Sequence, residues 1–233
     1  PAVILHSGGT TGTPKGIVLS NGNFNAAVGQ VQTVLKDITP DDSVLAIMPI
    51  FHGFGLSVSI NDVLSFGAKV VLVPTFKASE FDKLLTKYKP SVLVGVPTLF
   101  EALTTNERMK DVNLSHLKYV VSGGDTLNKS RIKKVNEFLH EHGANVNVLQ
   151  GYGMTEAVAA VCLDQKYASR PGTIGIPFPG NYIKIVKPGT DEEVGIDEDG
   201  ELCICGPTVM LGYYNNEKET NEALHIHKDG NIW

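Results

Sequence analysis

No apolar run in this 233-residue chain approaches the roughly 20 residues a helix needs to span a bilayer. Cysteine is scarce. The three present (Cys162, Cys203, Cys205) are odd in number and lack Cys-x-x-Cys spacing, so no disulfide framework is expected. They read as reduced core or surface thiols, and a cytoplasmic location fits them best. The seven histidines do not cluster with cysteine in a metal-ligating pattern. Neither charge dominates: 20 Lys and Arg stand against 25 Asp and Glu, a net −5, which leaves no electrostatic footprint for nucleic acid or an anionic membrane. Repeats, low-complexity stretches and a secretory signal are also missing. With 42% hydrophobic residues, the chain can bury a sizeable core. Its ends, Pro1 and Trp233, read as interior to a longer protein.

Short apolar runs alternate with amphipathic stretches. Strands are expected at Ser43–Pro49, Lys69–Pro74, Ser91–Val96, Tyr119–Ser122 and Val146–Gln150. Helices are expected after Asn21 or Asn23, over Gly55–Phe66, from Ser79, from Pro97 and over Lys129–His142. That alternation implies an α/β fold: layered, mainly parallel sheets with helices on both faces. From Arg170, Pro and Gly recur, and Tyr182–Val186 and Glu201–Cys205 alternate like antiparallel strands. The organisation expected is an α/β core over 1–168 and a smaller β-rich subdomain over 169–233.

Three turns between strand and helix carry the chemistry. The first is His6-Ser7-Gly8-Gly9-Thr10-Thr11-Gly12-Thr13-Pro14-Lys15-Gly16, following Val3-Ile4-Leu5. Its glycines permit close backbone approach, while the hydroxyls of Ser7, Thr10 and Thr11 and the Lys15 ammonium offer donors and charge to phosphate. Pro14 before Lys15 and Gly16 after it exclude a Walker A loop. The second is Ser122-Gly123-Gly124-Asp125, where two glycines let a flat ligand lie against the backbone; an ordinary turn fits those residues too. The third is Gln150-Gly151-Tyr152-Gly153-Met154-Thr155-Glu156, which lacks the third glycine of a dinucleotide fingerprint. It offers instead a ring to stack on a purine, a hydroxyl for phosphate and a carboxylate for a hard cation. Pro49–Gly55, around His52, sits at the sheet edge where ligands bind in open α/β folds; by itself it fits a histidine satisfied in a tight turn.

In this order, the segments resemble the adenylate-forming superfamily of acyl-CoA synthetases, luciferases and peptide-synthetase adenylation domains. The first loop is similar to its phosphate loop, with His6 for the usual aromatic and Gly8 for a small hydroxyl. The resemblance implies ATP, Mg²⁺ and CoA as cofactor and co-substrates. It assigns phosphate contacts to Ser7, Gly8, Gly9, Thr10, Thr11, Gly12 and Lys15. Adenine contacts fall to Gly123, Gly124, Asp125 and the 150–154 segment (Gln150, Gly151, Tyr152, Gly153, Met154), with Asp125 replacing the usual small residue. Thr155 would touch the α-phosphate, Glu156 (with Ser7) would hold Mg²⁺, and Lys15, Thr155 and Glu156 would be catalytic. A substrate pocket would include His52, Phe54, Val96 and Ala157; with Phe51 and Val94 beside them, a fatty or aryl acid is favoured over a charged one. The 200–215 stretch would be architectural. The resemblance also implies a ribose-binding Asp and a lid domain with a catalytic lysine, both beyond Trp233, and an unpaired sheet edge that promotes self-association.

The activity implied is ATP-dependent formation of an acyl-adenylate and then a CoA thioester. Two alternatives stay open: loading of a carrier protein, and a non-catalytic nucleotide-binding module.

Overall fold

Ser20 begins the first helix. Its hydroxyl accepts from the Asn23 backbone while the Asn23 side chain accepts from the Ser20 backbone, a reciprocal cap that places the start one residue before the expected Asn21. A computed structural model describes residues 1–6 and 14–233. In chain order it contains β1 (Val3–His6), β2 (Gly16–Leu19), α1 (Asn21–Val34) and β3 (Ser43–Ala46). A π-helix, Phe54–Asn61, runs directly into α2 (Asp62–Ser65). There follow β4 (Lys69–Leu72), α3 (Phe81–Tyr88), β5 (Val92–Gly95), α4 (Pro97–Thr105), β6 (Tyr119–Ser122), α5 (Lys129–Glu141) and β7 (Val148–Tyr152). The remaining elements are β8 (Cys162–Leu163), β9 (Ile176–Pro177), β10 (Tyr182–Val186), β11 (Glu201–Cys205), β12 (Gly212–Tyr213) and α6 (Glu217–Ala223).

The main sheet has seven strands in the order β4-β3-β5-β6-β7-β8-β9. Pairing is parallel from β4 to β7 and antiparallel from β7 to β9. Alternation along each buried strand supplies two cores, because successive side chains leave opposite faces. Leu45, Leu93, Val120 and Val148 pack with Phe81, Phe100, Leu103 and Leu139 from α3, α4 and α5. On the other face, Val44 and Val94 pack with Val63 from α2, and Leu149 with Val31 from α1. This is the layered, two-faced α/β architecture expected. The expected helix at 55–66 forms, but it opens as a π-helix, whose i→i+5 bonding ends with the Asp62 N–H donating to the Ser57 carbonyl.

β10 and β11 form the expected antiparallel pair, with Tyr182 opposite Cys205. The boundary expected near 168 falls between β8 and β9, and β9 continues the main sheet beyond it. β12 pairs with β2, completing a three-stranded antiparallel sheet with β1. The C-terminal segment is thereby brought beside the turn that precedes β2. Among the described residues, no helix is long and apolar enough to cross a membrane.

Candidate active site

The parallel strands β3, β5, β6 and β7 all deliver their C-terminal ends to one edge, where open α/β sheets bind ligands. A cavity of about 90 Å³ opens there. His52 and Phe54 line it on one side, Gly123 and Gly124 on another, and the stretch from Gly151 to Thr155 on a third. Gly124 adopts φ +77°, which favours glycine. A Cβ on Gly153 would lie 1.5 Å from the Ala159 carbonyl oxygen, so only glycine allows this turn to fold back on itself. At its tip Val158 is held at φ 70°, a strained conformation for a β-branched residue and one that concentrates at functional sites.

His52 accepts the Phe54 backbone N–H at Nδ1 across 3.1 Å, which leaves its ring proton on Nε2 as a donor. Asp125 accepts the Thr126 N–H on Oδ1 at 2.6 Å; its carboxylate is occupied in its own turn. Gln150 is buried but does not line the cavity, and its Oε1 has no hydrogen-bond partner among the described residues. Thr155 is buried at the cavity wall.

Glu156 faces the other way, into a larger cleft of about 660 Å³ that shares the Met154 wall. Its Oε1 accepts the phenol of Tyr213 at 3.0 Å, and among the described residues that is the one hydrogen bond its carboxylate makes. Lys15 lies over the same Tyr213 ring, 5.0 Å from its centroid, and forms an ion pair with Glu219 at the start of α6. Tyr213 therefore touches both charged groups that the sequence singles out, Lys15 over its ring and Glu156 at its hydroxyl. Burial, and then the Glu156 charge and hydrogen bond, push its phenol well above the ordinary value. Burial, followed by Cys162 and Glu156, raises Tyr152 as well. Cys162 is pushed up to about 11 by burial, and all three cysteines are free.

Of the four residues expected in the substrate pocket, His52 and Phe54 line the cavity. Val96 packs behind Gly124 against the core of that face without lining the cavity, and Ala157 is buried with Val161, Cys162 and Ile204 against the larger cleft. Phe51 is 77% exposed and does not line that cavity. Val94 lies deeper, in the core beneath the cavity. The expected phosphate contacts Ser7, Gly8, Gly9, Thr10, Thr11 and Gly12 lie outside the described residues. Tyr213 is the residue that sequence reading missed. It sits in a stretch with an architectural resemblance, and its partners are 57 and 198 positions away.

A model of the family described as "AMP-binding enzyme" matches residues 1–214. The chain belongs to this family. It is 36% identical over 231 residues to a probable 4-coumarate–CoA ligase of Dictyostelium discoideum, covering 98% of this chain and 41% of that protein. It is likewise 36% identical over 237 residues to a long-chain-fatty-acid–CoA ligase of Haemophilus influenzae, covering 98% of this chain and 40% of the relative. Among solved structures, ATP-bound MatB from Rhodopseudomonas palustris superposes with a TM-score of 0.84 at 26% identity, over 98% of this chain and 46% of that one. The chain thus spans less than half the length of these relatives, and its fold is that of the adenylate-forming enzymes.

The donor set beside Glu156 suits Mg²⁺, which is bound through one or two carboxylates together with substrate phosphates. One Glu156 oxygen is anchored by Tyr213 and, among the described residues, the other accepts no hydrogen bond, which fits that cation. No group of three or more His, Cys, Asp or Glu among the described residues would hold a metal unaided.

Proposed function

We propose that the protein carrying this chain activates a carboxylic acid with ATP and passes the acyl group to CoA. A carboxylate oxygen attacks the α-phosphorus, the bond to the bridging oxygen breaks, and pyrophosphate leaves. The CoA thiol, losing its proton, then attacks the acyl carbonyl and AMP departs. The observation that carries this reading is the contact of both Lys15 and Glu156 with Tyr213, next to an apolar cavity at the sheet edge. An acid could place its apolar body in the cavity and its carboxylate by Thr155, with phosphates reaching Lys15 in the neighbouring cleft. Relatives named as CoA ligases favour CoA as acceptor.

In this reading Lys15 neutralises the leaving pyrophosphate, Thr155 donates to the α-phosphate, and Glu156 holds Mg²⁺, which supplies charge stabilisation to the phosphates when bound. Tyr152 and the Gly123–Gly124 backbone border the adenine. Ser7 and the rest of the first loop are assigned to the phosphates by the family resemblance. His52, with its proton on Nε2, can donate to the substrate carboxylate. Protein groups thereby orient the reactants and stabilise charge, which is most of what a phosphoryl-type transfer needs from them. The free, burial-suppressed cysteines suit a reducing compartment, and we place the protein in the cytoplasm.

Incubation of the complete protein with ATP, Mg²⁺, CoA and a panel of carboxylic acids tests this, with products read by mass spectrometry. An acyl-CoA and AMP are expected. Acyl-adenylate that persists with CoA yet transfers to a carrier protein's phosphopantetheine would move the assignment to carrier loading. ATP binding without any product would leave a nucleotide-binding module.

A further inference from the structure

The cavity at the site does not end at Phe54. A second cavity of about 50 Å³ lies behind it, and four residues wall both: Val31 and Leu35 from the α1 region, Val58 from the π-helix, and Val121 from β6. Phe54, Val58 and Asp62 recur at four-residue spacing along the π-helix and into α2, running from the mouth to the inner cavity. At helical rise that stripe is on the order of 10 Å long. The second cavity is lined by apolar side chains apart from Asp42, Ser43 and Asp62.

Asp42 is committed. Its Oδ2 accepts from Lys118 at 2.7 Å and from the Thr39 backbone at 2.7 Å. Asp62 is not. It is 3% exposed, no ion pair reaches it among the described residues, and it accepts a long bond of 3.3 Å from Ser57 on Oδ1, with the Asn61 side chain beside it. Nearby on the same helix, Ser59 Oγ is buried and has no hydrogen-bond partner among the described residues. An isolated buried carboxyl in an apolar channel is costly, and a ligand group that bonds to it recovers that cost. Burial also pushes the carboxyl up to about 7, so near neutrality it carries a proton and can donate as well as accept.

We propose that Asp62 forms the hydrogen-bonding end wall of the acid-binding channel and selects acids carrying a hydroxyl at the end remote from the carboxylate. The proposal rests on the acid-activating reading of the site and narrows its substrate from fatty or aryl acids in general to hydroxyl-terminated ones. A site built to bond a hydroxyl discriminates strongly against the analogue without it, because its own buried group is then left unpaired.

The test compares octanoic with 8-hydroxyoctanoic acid on the complete protein, as wild type, Asp62→Leu and Asp62→Asn. Affinity is read by calorimetry with acid alone, and activation by ATP–pyrophosphate exchange. Wild type is expected to bind the hydroxy acid about 10-fold or more tightly, Asp62→Leu to reverse the order, and Asp62→Asn, which still bonds a hydroxyl, to retain it. An affinity ratio equal in wild type and Asp62→Leu overturns the proposal, as does undetectable binding of both acids. A reversed ratio with no exchange from either acid supports the Asp62 assignment and overturns the activation reading instead.

Discussion

The Tyr213 phenol donates to Glu156 Oε1 across 3.0 Å, and the same ring carries Lys15 5.0 Å above its centroid. Tyr213 can stand there because β12 pairs with β2, placing it opposite Ile17, two residues beyond Lys15. Its backbone N–H is in turn fixed by Thr220 Oγ1 at 2.8 Å. The short β12 pairing thus orients a carboxylate and an ammonium that belong to distant parts of the chain.

Tyr213→Phe keeps the ring and removes the bond to Glu156. Loss of a partner that orients a metal-binding group typically weakens metal affinity about 10-fold or more. The half-saturating Mg²⁺ concentration for pyrophosphate exchange should rise by about that factor, with KM for the acid unchanged. An unaltered Mg²⁺ titration would reduce Tyr213 to a packing role.

Glu156→Gln retains size while removing the charge. Exchange should fall by about 10²–10³, the usual loss when a group stabilising transition-state charge is removed. A rate within about twofold of wild type at limiting Mg²⁺ would take Glu156 out of the chemistry.

Lys15→Ala should slow adenylation more than thioester formation from supplied acyl-adenylate, because pyrophosphate is absent from the second step. Its ion pair with the part-exposed Glu219 belongs to a class worth about 0–1 kcal/mol, so phosphate can displace it at little cost. Single-turnover measurement of each half-reaction decides. Equal slowing of both would assign Lys15 to the shared adenylate site or to the fold.

Stability should respond to pH in two opposite ways. Burial raises Asp62 from 3.8 to about 7, so the folded chain keeps a proton that the unfolded chain releases, and stability falls as pH rises from about 4 to 7. Three pKa units correspond to about 4 kcal/mol. Asp42 is also raised by burial, but bonds from Lys118, Ser91 and Thr39 outweigh this and hold it at about 2; its stabilisation is complete above about 4 and lost as pH drops towards 2. Urea denaturation at pH 5 and pH 8 should show wild type losing stability at the higher pH and Asp62→Asn losing markedly less. Parallel behaviour of the two would place the titrating group elsewhere.

Much of the scaffold was legible because its signals are local. Apolar runs such as Val92–Gly95 and Tyr119–Ser122 read as buried strands, and Pro97 and Lys129 mark helix starts. The glycine-rich turns were legible too, since close approach leaves a residue-type requirement at Gly124 and Gly153. Facing was harder. Val96 and Ala157 border the right turns yet do not line the cavity, because a residue leaving a strand or a tight turn has no fixed period to fix its side.

Local periodicity and turn chemistry, readable along the sequence alone, determined the parallel α/β layers and the antiparallel β10–β11 pair, and the order of the motifs resembles the family to which the chain belongs. Only the tertiary structure decided that Tyr213 joins Lys15 to Glu156, that Glu219 meets Lys15, and that Asp62 lines the cavity next to the site. Those relationships depend on strand order and on how α1 and the π-helix pack over the sheet. Packing of that kind joins residues up to 204 positions apart, beyond the reach of any pattern confined to a few turns of chain.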